Sequence, residues 1–256
     1  MNVESKKIAL EAHRGVSSEY PENTLAAFRA AKELGYSMIE LDTKFTADDE
    51  CVILHDSTLN RTGRNPDGSM IDGEVKISDI TLEEAKKYDF GLHMGERFSG
   101  EKIPTLEEVI EFAAEAKIPL KFDNVLWSHK PAQREKMFAA LKDSGVDFGI
   151  TCSELWQIKE LLDYVPDATV HFDGAVSEES LNELSKLVLP ERLYVWMRFD
   201  NKITAWNTTP PVDENYAALV KEHGKLAVWL LTTAEEAARA EKLGACIAET
   251  DGRLKP

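Results

Sequence analysis

Residues 37–42 read Ser-Met-Ile-Glu-Leu-Asp, an apolar stretch that ends in two carboxylates, Glu40 and Asp42. In a β-strand, residues two apart project from the same face, so Glu40 and Asp42 point together and the apolar residues beside them point away. The pair lies at the carboxyl end of the predicted strand, where barrel enzymes place their reacting groups. This stretch therefore predicts a strand of an α/β barrel with an acidic pair at its functional end.

Similar apolar runs recur along the chain, separated by amphipathic stretches. The predicted strands cover residues 8–12, 37–42, 119–123, 148–151, 168–172, 193–197, 226–231 and 245–250. The predicted helices that follow these strands cover residues 23–34, 132–143, 153–163, 177–187, 213–223 and 233–243. This alternation is typical of repeated βα units. Eight strands, with no GxGxxG motif after the first, favour a TIM (β/α)8 barrel over an open dinucleotide-binding sheet.

The connection between the second and third barrel strands is anomalous. Residues 43–118 replace the usual loop of about 2–6 residues. They include a predicted strand at 51–54 and predicted helices at 81–88 and 105–116. We expect one domain over residues 1–256, with a small insertion subdomain that shapes the site.

Composition limits the classes of function. A net charge of -16, with no cluster of Lys and Arg along the sequence, argues against a nucleic-acid partner, which requires a basic surface. No apolar run approaches the roughly 20 residues of a membrane span, and the N-terminus lacks an apolar signal region, so we expect a soluble, cytoplasmic protein without stable membrane anchoring. Cys51, Cys152 and Cys246 are widely spaced in apolar runs, which predicts buried core thiols.

Polar residues at neighbouring strand ends suggest a reaction centre. His13 and Arg14 end the first predicted strand, and His55 ends the strand at 51–54. Histidine can both take and give a proton near neutral pH. Crowded carboxylates such as Glu40 and Asp42 repel each other unless a hard divalent cation lies between them. The alternative is a solvent-facing acidic pair, or ordinary partners for nearby lysines and arginines.

Several motifs then occur in a characteristic order. They are AHRG at 12–15, PENTLAAF at 21–28, IELD at 39–42, VILHDSTLNRTG at 52–63 and IPTLEE at 103–108. In order and spacing they resemble the glycerophosphodiester phosphodiesterase family, densely over residues 12–110 and weakly over 130–220. The resemblance implies a TIM barrel with a subdomain inserted after the second strand, as the pattern itself predicts.

The resemblance also implies roles for individual residues. His13 and His55 correspond to the family's general acid and base, and which is which stays open. Glu40 and Asp42 correspond to metal ligands, and Arg14 to a residue that holds a phosphate oxygen.

The chain departs from the family at the third barrel strand. The family carries a metal-binding Glu followed two residues later by a phosphate-binding Lys, and here Asp123 and Val125 stand at those positions. Asp is an equally hard oxygen donor. The missing charge could come from Arg198 or Lys202, although surface salt bridging is the favoured interpretation of both residues.

The predicted function is hydrolysis of a glycerophosphodiester to an alcohol and glycerol 3-phosphate, with one divalent cation, Mg²⁺ or Ca²⁺, on Glu40, Asp42 and Asp123. Trp229 matches a family tryptophan that could line the alcohol moiety. Two alternatives remain, a related hydrolase or cyclising lyase for another phosphodiester, and a weakened barrel that binds a ligand. The sequence does not define the oligomeric state.

Overall fold

A computed structural model describes residues 8–199 and 210–256 of the chain, with ten strands. The strands are β1 (Ala9–His13), β2 (Met38–Leu41), β3 (Thr43–Phe45), β4 (Cys51–Ile53), β5 (Leu120–Phe122), β6 (Phe148–Cys152), β7 (Thr169–Phe172), β8 (Leu193–Arg198), β9 (Lys225–Trp229) and β10 (Ile247–Thr250). Eight of them pair in parallel and close into a barrel in the order β1-β10-β9-β8-β7-β6-β5-β2. The predicted TIM barrel is confirmed, because each of the eight predicted strands is present.

Helices connect the strands on the outside of the barrel. They are α1 (Leu25–Leu34), α2 (Leu82–Ala85), α3 (Leu106–Ala116), α4 (Pro131–Ser144), α5 (Leu155–Tyr164), α6 (Glu178–Leu184), α7 (Glu214–His223) and α8 (Ala234–Leu243). Thr105 and Thr233 begin α3 and α8 with reciprocal capping boxes. Each cap satisfies backbone N–H groups that lack helical partners and stabilises its helix by about 1 kcal/mol.

The segment between β2 and β5 forms a unit against the barrel. Its strands β3 and β4 pair antiparallel, and β3 was not predicted. Helix α2 ends at Ala85, three residues earlier than predicted. Beyond it, the carboxylate of Asp89 accepts backbone hydrogen bonds from Gly91, Leu92 and Gly100. The unit has its own small core of buried apolar residues. They are Val52, Leu54, Leu59, Ile71, Ile77, Ala85, Phe90 and Ile103.

Two further observations bear on the sequence analysis. Among the residues described, no helix combines the length and the apolar character needed to cross a bilayer. Cys51 and Cys152 are buried as predicted, whereas the prediction for Cys246 is wrong. Cys246 is exposed because it precedes β10 at the amino end of the barrel, where its apolar neighbours point inward.

Candidate active site

A cleft of about 330 Å³ opens among residues at the carboxyl ends of the barrel strands. Its lining comprises His13, Arg14, Glu40, Asp42, His55, Lys121, Asp123, Asn124, Val125, Thr151, Asp173, Trp196, Trp229 and Glu249. The residues predicted as acid, base, metal ligands and substrate contacts all line this cleft, namely His13, Arg14, Glu40, Asp42, His55, Asp123 and Trp229.

Strand register places the first histidine beside the first carboxylate. His13 on β1 is the direct neighbour of Glu40 on β2, and the backbone N–H of Arg14 donates to Glu40 Oε2 at 2.9 Å. Arg14 has a left-handed backbone, with φ of 56°. This conformation costs a non-glycine residue about 1–2 kcal/mol. The strained turn aims both the Arg14 amide and its side chain at the carboxylates.

The three predicted metal ligands lie on β2 and at the end of β5. Glu40 and Asp42 are 2% and 1% exposed. Burial, reinforced by repulsion from Asp42, raises the pKa of Glu40, and the same two causes raise the pKa of Asp123. Asp42 accepts a hydrogen bond from Asn23 at 2.8 Å and faces Arg14 Nε at 3.3 Å.

This donor set suits a hard divalent cation, because buried carboxylates that repel one another need a positive partner. Within residues 8–199 and 210–256, no three Asp, Glu, His or Cys side chains are already grouped to hold a metal ion.

A chain of ion pairs connects His55 to Arg14. His55 Nδ1 lies 2.6 Å from Asp56, and Arg61 donates to both Asp56 and Glu22 at 2.7 Å. Glu22 in turn accepts from Arg14 at 3.0 Å. Burial alone would raise the pKa of Glu22 and Asp56, but the hydrogen bonds and charge of Arg61, joined by those of Arg14 at Glu22 and of His55 at Asp56, together lower both to about 2. Both carboxylates therefore stay ionised and orient the cationic groups beside the cleft.

A buried charge triad lies at the base of the cleft. Lys121 donates to Glu11 at 2.6 Å and to Glu249 at 2.7 Å, and its ammonium stands 3.7 Å from the centre of the Trp196 ring. Burial raises the pKa of Glu11 to about 8, whereas Lys121 overcomes burial and lowers the pKa of Glu249 to about 2. Near neutral pH the triad thus balances one carboxylate against one ammonium. Glu249 also approaches His13 Nε2, at 3.9 Å.

A polar corner made by Asn124, Thr151 and Asp173 lies on another wall. Asn124 donates to Asp173 Oδ2 at 2.9 Å, while Asp173 Oδ1 and the Thr151 hydroxyl are buried without a hydrogen-bond partner in the described part of the chain. Burial, together with the charge of Asp123, raises the pKa of Asp173 to about 7.

Lys44 on β3 is a basic residue that sequence analysis did not select. It is half-buried, and the charges that act on its ammonium are those of Asp42, Asp123, Asp56 and Arg14. Its hydrogen bond is a long one, 3.4 Å to the carbonyl of Thr43. The strand-end pattern could not reveal it because β3 itself was not predicted.

Neither of the two residues suggested to replace the family lysine is found among the residues that line the cleft in the described part of the chain. Arg198 is buried at the end of β8 and does not belong to the lining of the cleft. Lys202 lies outside the described residues. Val125 lines the cleft without contributing a charge. Trp229 is half-buried at the end of β9 and forms part of one wall.

Fold and site together define an α/β barrel with a histidine-bearing, carboxylate-rich cleft at the carboxyl ends of its strands. Residues 13–251 match the model of the Glycerophosphoryl diester phosphodiesterase family. The chain belongs to this family.

Curated relatives agree with this assignment. A glycerophosphodiester phosphodiesterase of Caldanaerobacter subterraneus subsp. tengcongensis is 43% identical over 141 residues, which are 54% of this chain and 54% of that protein. Human glycerophosphodiester phosphodiesterase 1 is 36% identical over 132 residues, 51% of this chain and 38% of the human protein. The chain spans about half the length, or less, of the curated relatives it matches.

Solved structures share the fold. An Oleispira antarctica phosphodiesterase, in complex with the product sn-glycerol-3-phosphate, superposes with a TM-score of 0.74 at 22% identity, covering 96% of this chain and 94% of that one. A putative glycerophosphoryl diester phosphodiesterase from Silicibacter pomeroyi gives a TM-score of 0.77 at 20% identity, covering 96% of this chain and 90% of the other.

Proposed function

We propose that this protein is a metal-dependent phosphodiesterase that hydrolyses glycerophosphodiesters to an alcohol and glycerol 3-phosphate. The observation that carries the proposal is the convergence of His13 and His55 with Glu40, Asp42 and Asp123 in one cleft. Family membership and the product bound to the Oleispira antarctica structure support the choice of substrate class.

The cation would be Mg²⁺ or Ca²⁺, held by Glu40, Asp42 and Asp123. When bound, it would polarise a non-bridging phosphate oxygen and neutralise charge that develops in the transition state. Arg14 shares this task, because its guanidinium is charged at every working pH and suits phosphate geometry.

Proton transfer falls to the two histidines. The carboxylate of Asp56 holds a proton on His55 Nδ1, which leaves Nε2 able to accept one. His55 removes a proton from water as its oxygen bonds to phosphorus. The phosphorus–oxygen bond to the alcohol breaks, and His13, with Glu249 near its Nε2, gives a proton to the departing alkoxide. A substrate hydroxyl could attack in place of water and give a cyclic phosphate.

Lys44, whose pKa burial lowers, supplies a second positive charge beside the cleft, outside the residues that line it. Its half-buried ammonium lies in the field of Asp42, Asp123 and Arg14, and the described residues include no carboxylate within ion-pairing distance of it. This position offsets the absence of a cation at Val125.

The test is turnover of glycerophosphocholine and glycerophosphoethanolamine, with and without a chelator, followed by phosphorus NMR to identify the product. We expect chelation to abolish turnover, Mg²⁺ or Ca²⁺ to restore it, and His13→Ala or His55→Ala to lower kcat by about 10²–10⁴-fold. The matched control is His223→Ala, at the end of α7 on the far side of the barrel. Rates that survive chelation and both substitutions would refute the proposed centre.

A further inference from the structure

The polar corner of the cleft offers two hydrogen-bond acceptors that nothing in the described chain uses. Thr151 lies on β6 and is 2% exposed, and Asp173 follows the adjacent strand β7. Asn124 holds Asp173 Oδ2 at 2.9 Å, so Oδ1 and the Thr151 hydroxyl are left without protein partners. Buried acceptors that line a cleft are satisfied by what enters it.

The charge of the residues around the polar corner determines which ligand groups can bind at it. Five carboxylates line the cleft, against the permanent charges of Arg14 and Lys121. In the described part of the chain no cation forms an ion pair with Asp173, so an entering positive group is favoured over a neutral one beside this carboxyl. A primary ammonium carries that charge and three donors, whereas a hydroxyl carries one donor and no charge.

The closed strand order places this corner beside Asp123 and across the barrel from His13 and Arg14. β7 stands directly across the barrel from β1, so Asp173 faces the wall that carries His13 and Arg14. A phosphate held by Arg14 therefore directs one of its two alcohol arms toward Asp173, along the wall that contains Trp229.

We propose that Asp173 and Thr151, with Asn124 orienting the carboxylate, form a subsite for a primary ammonium group and select amino-alcohol diesters over neutral ones. The inference rests on the proposed phosphodiesterase function and assigns the residues that determine its specificity.

The experiment compares glycerophosphoethanolamine with the neutral glycerophosphoglycerol. Asp173→Asn keeps the shape of the side chain and removes its charge, and we expect it to lower kcat/KM for the ammonium substrate by about 10- to 100-fold, the loss of a charged hydrogen bond. The neutral substrate should change less than about 3-fold. Thr151→Val should give a smaller loss, about 3- to 10-fold, again for the ammonium substrate.

Asp163→Asn, on the exposed face of α5, is the matched control and should leave both rates unchanged. Equal losses for both substrates, or no loss for either, would overturn the subsite. If the parent hydrolyses neither diester, the proposed function fails. The subsite alone is then tested by calorimetric measurement of ethanolamine phosphate binding. Binding that Asp173→Asn weakens by about 10-fold supports the subsite. An unchanged affinity refutes it.

Discussion

Replacing Lys121 with Met tests the buried triad at the base of the cleft. Lys121 is 4% exposed and holds both Glu11 and Glu249 at hydrogen-bond distance. Met fills a similar volume but leaves a buried negative charge without its partner. Removing one member of a buried ion pair costs about 3–5 kcal/mol. In a domain of this size that corresponds to a fall in Tm of about 10 °C.

The loss should depend on pH in a defined direction. Lys121 lowers the pKa of Glu249 in the folded state to about 2, from an ordinary value of 4.5. A carboxylate with a lowered folded pKa contributes stability above its unfolded pKa and loses it as pH falls toward the folded value. The difference in unfolding free energy between the parent and Lys121→Met should therefore be largest at pH 7 and should decrease between about pH 4.5 and 2.

The assay is urea unfolding followed by circular dichroism at pH 7 and pH 3.5. Adding Glu249→Gln to Lys121→Met should recover at least half of the loss, because it removes the uncompensated charge. Lys136→Met is the control, since Lys136 forms an exposed pair with Glu50 that contributes about 0–1 kcal/mol. A loss below about 1 kcal/mol for Lys121→Met, or no recovery in the double variant, would refute this account of the triad.

The remaining predictions concern charges at the rim. Lys44→Met should lower kcat/KM for a glycerophosphodiester by about 10-fold, because a charged contact is lost. Steady-state kinetics would measure this change. The control is Lys87→Met, at an exposed position, which should leave kcat/KM unchanged. Arg61→Met should flatten the acid dependence of stability, because Arg61 helps hold the pKa values of Glu22 and Asp56 at about 2. Their contribution is present above pH ~4.5 and lost toward pH ~2. Urea midpoints at pH 7 and pH 3.5 that still differ as much in Arg61→Met as in the parent would contradict this.

Residues that end apolar runs were predictable, because strand alternation and barrel topology determine both their direction and their neighbours. His13, Glu40 and Asp123 are examples, and the register that pairs His13 with Glu40 confirms their predicted adjacency. Strand β3 (Thr43–Phe45) was not predicted, because it follows β2 without a Gly, Pro or Asn turn residue that would mark a separate strand.

Contacts that join distant parts of the chain were not predictable. The partners of Lys121, Glu11 and Glu249, are 110 and 128 residues away in sequence. Within their own strands, these two glutamates are indistinguishable from solvent-facing residues. Asp173 belongs to no motif, and its role depends on an orphaned oxygen that only three-dimensional packing reveals.

The two histidines lie on segments that pack differently. His13 is carried by the barrel, whereas His55 follows β4, where Val52 and Leu54 pack in the small core and Cys51 and Ile53 pack in the barrel core. Regions with separate cores can open at different free energies. Mild denaturant should therefore loosen the segment that carries His55 while the barrel stays folded, and the proposed activity should disappear before the circular dichroism signal changes. The conditions under which both histidines stay in place then depend on the small core as well as on the barrel, so stabilising the small core is the way to extend them.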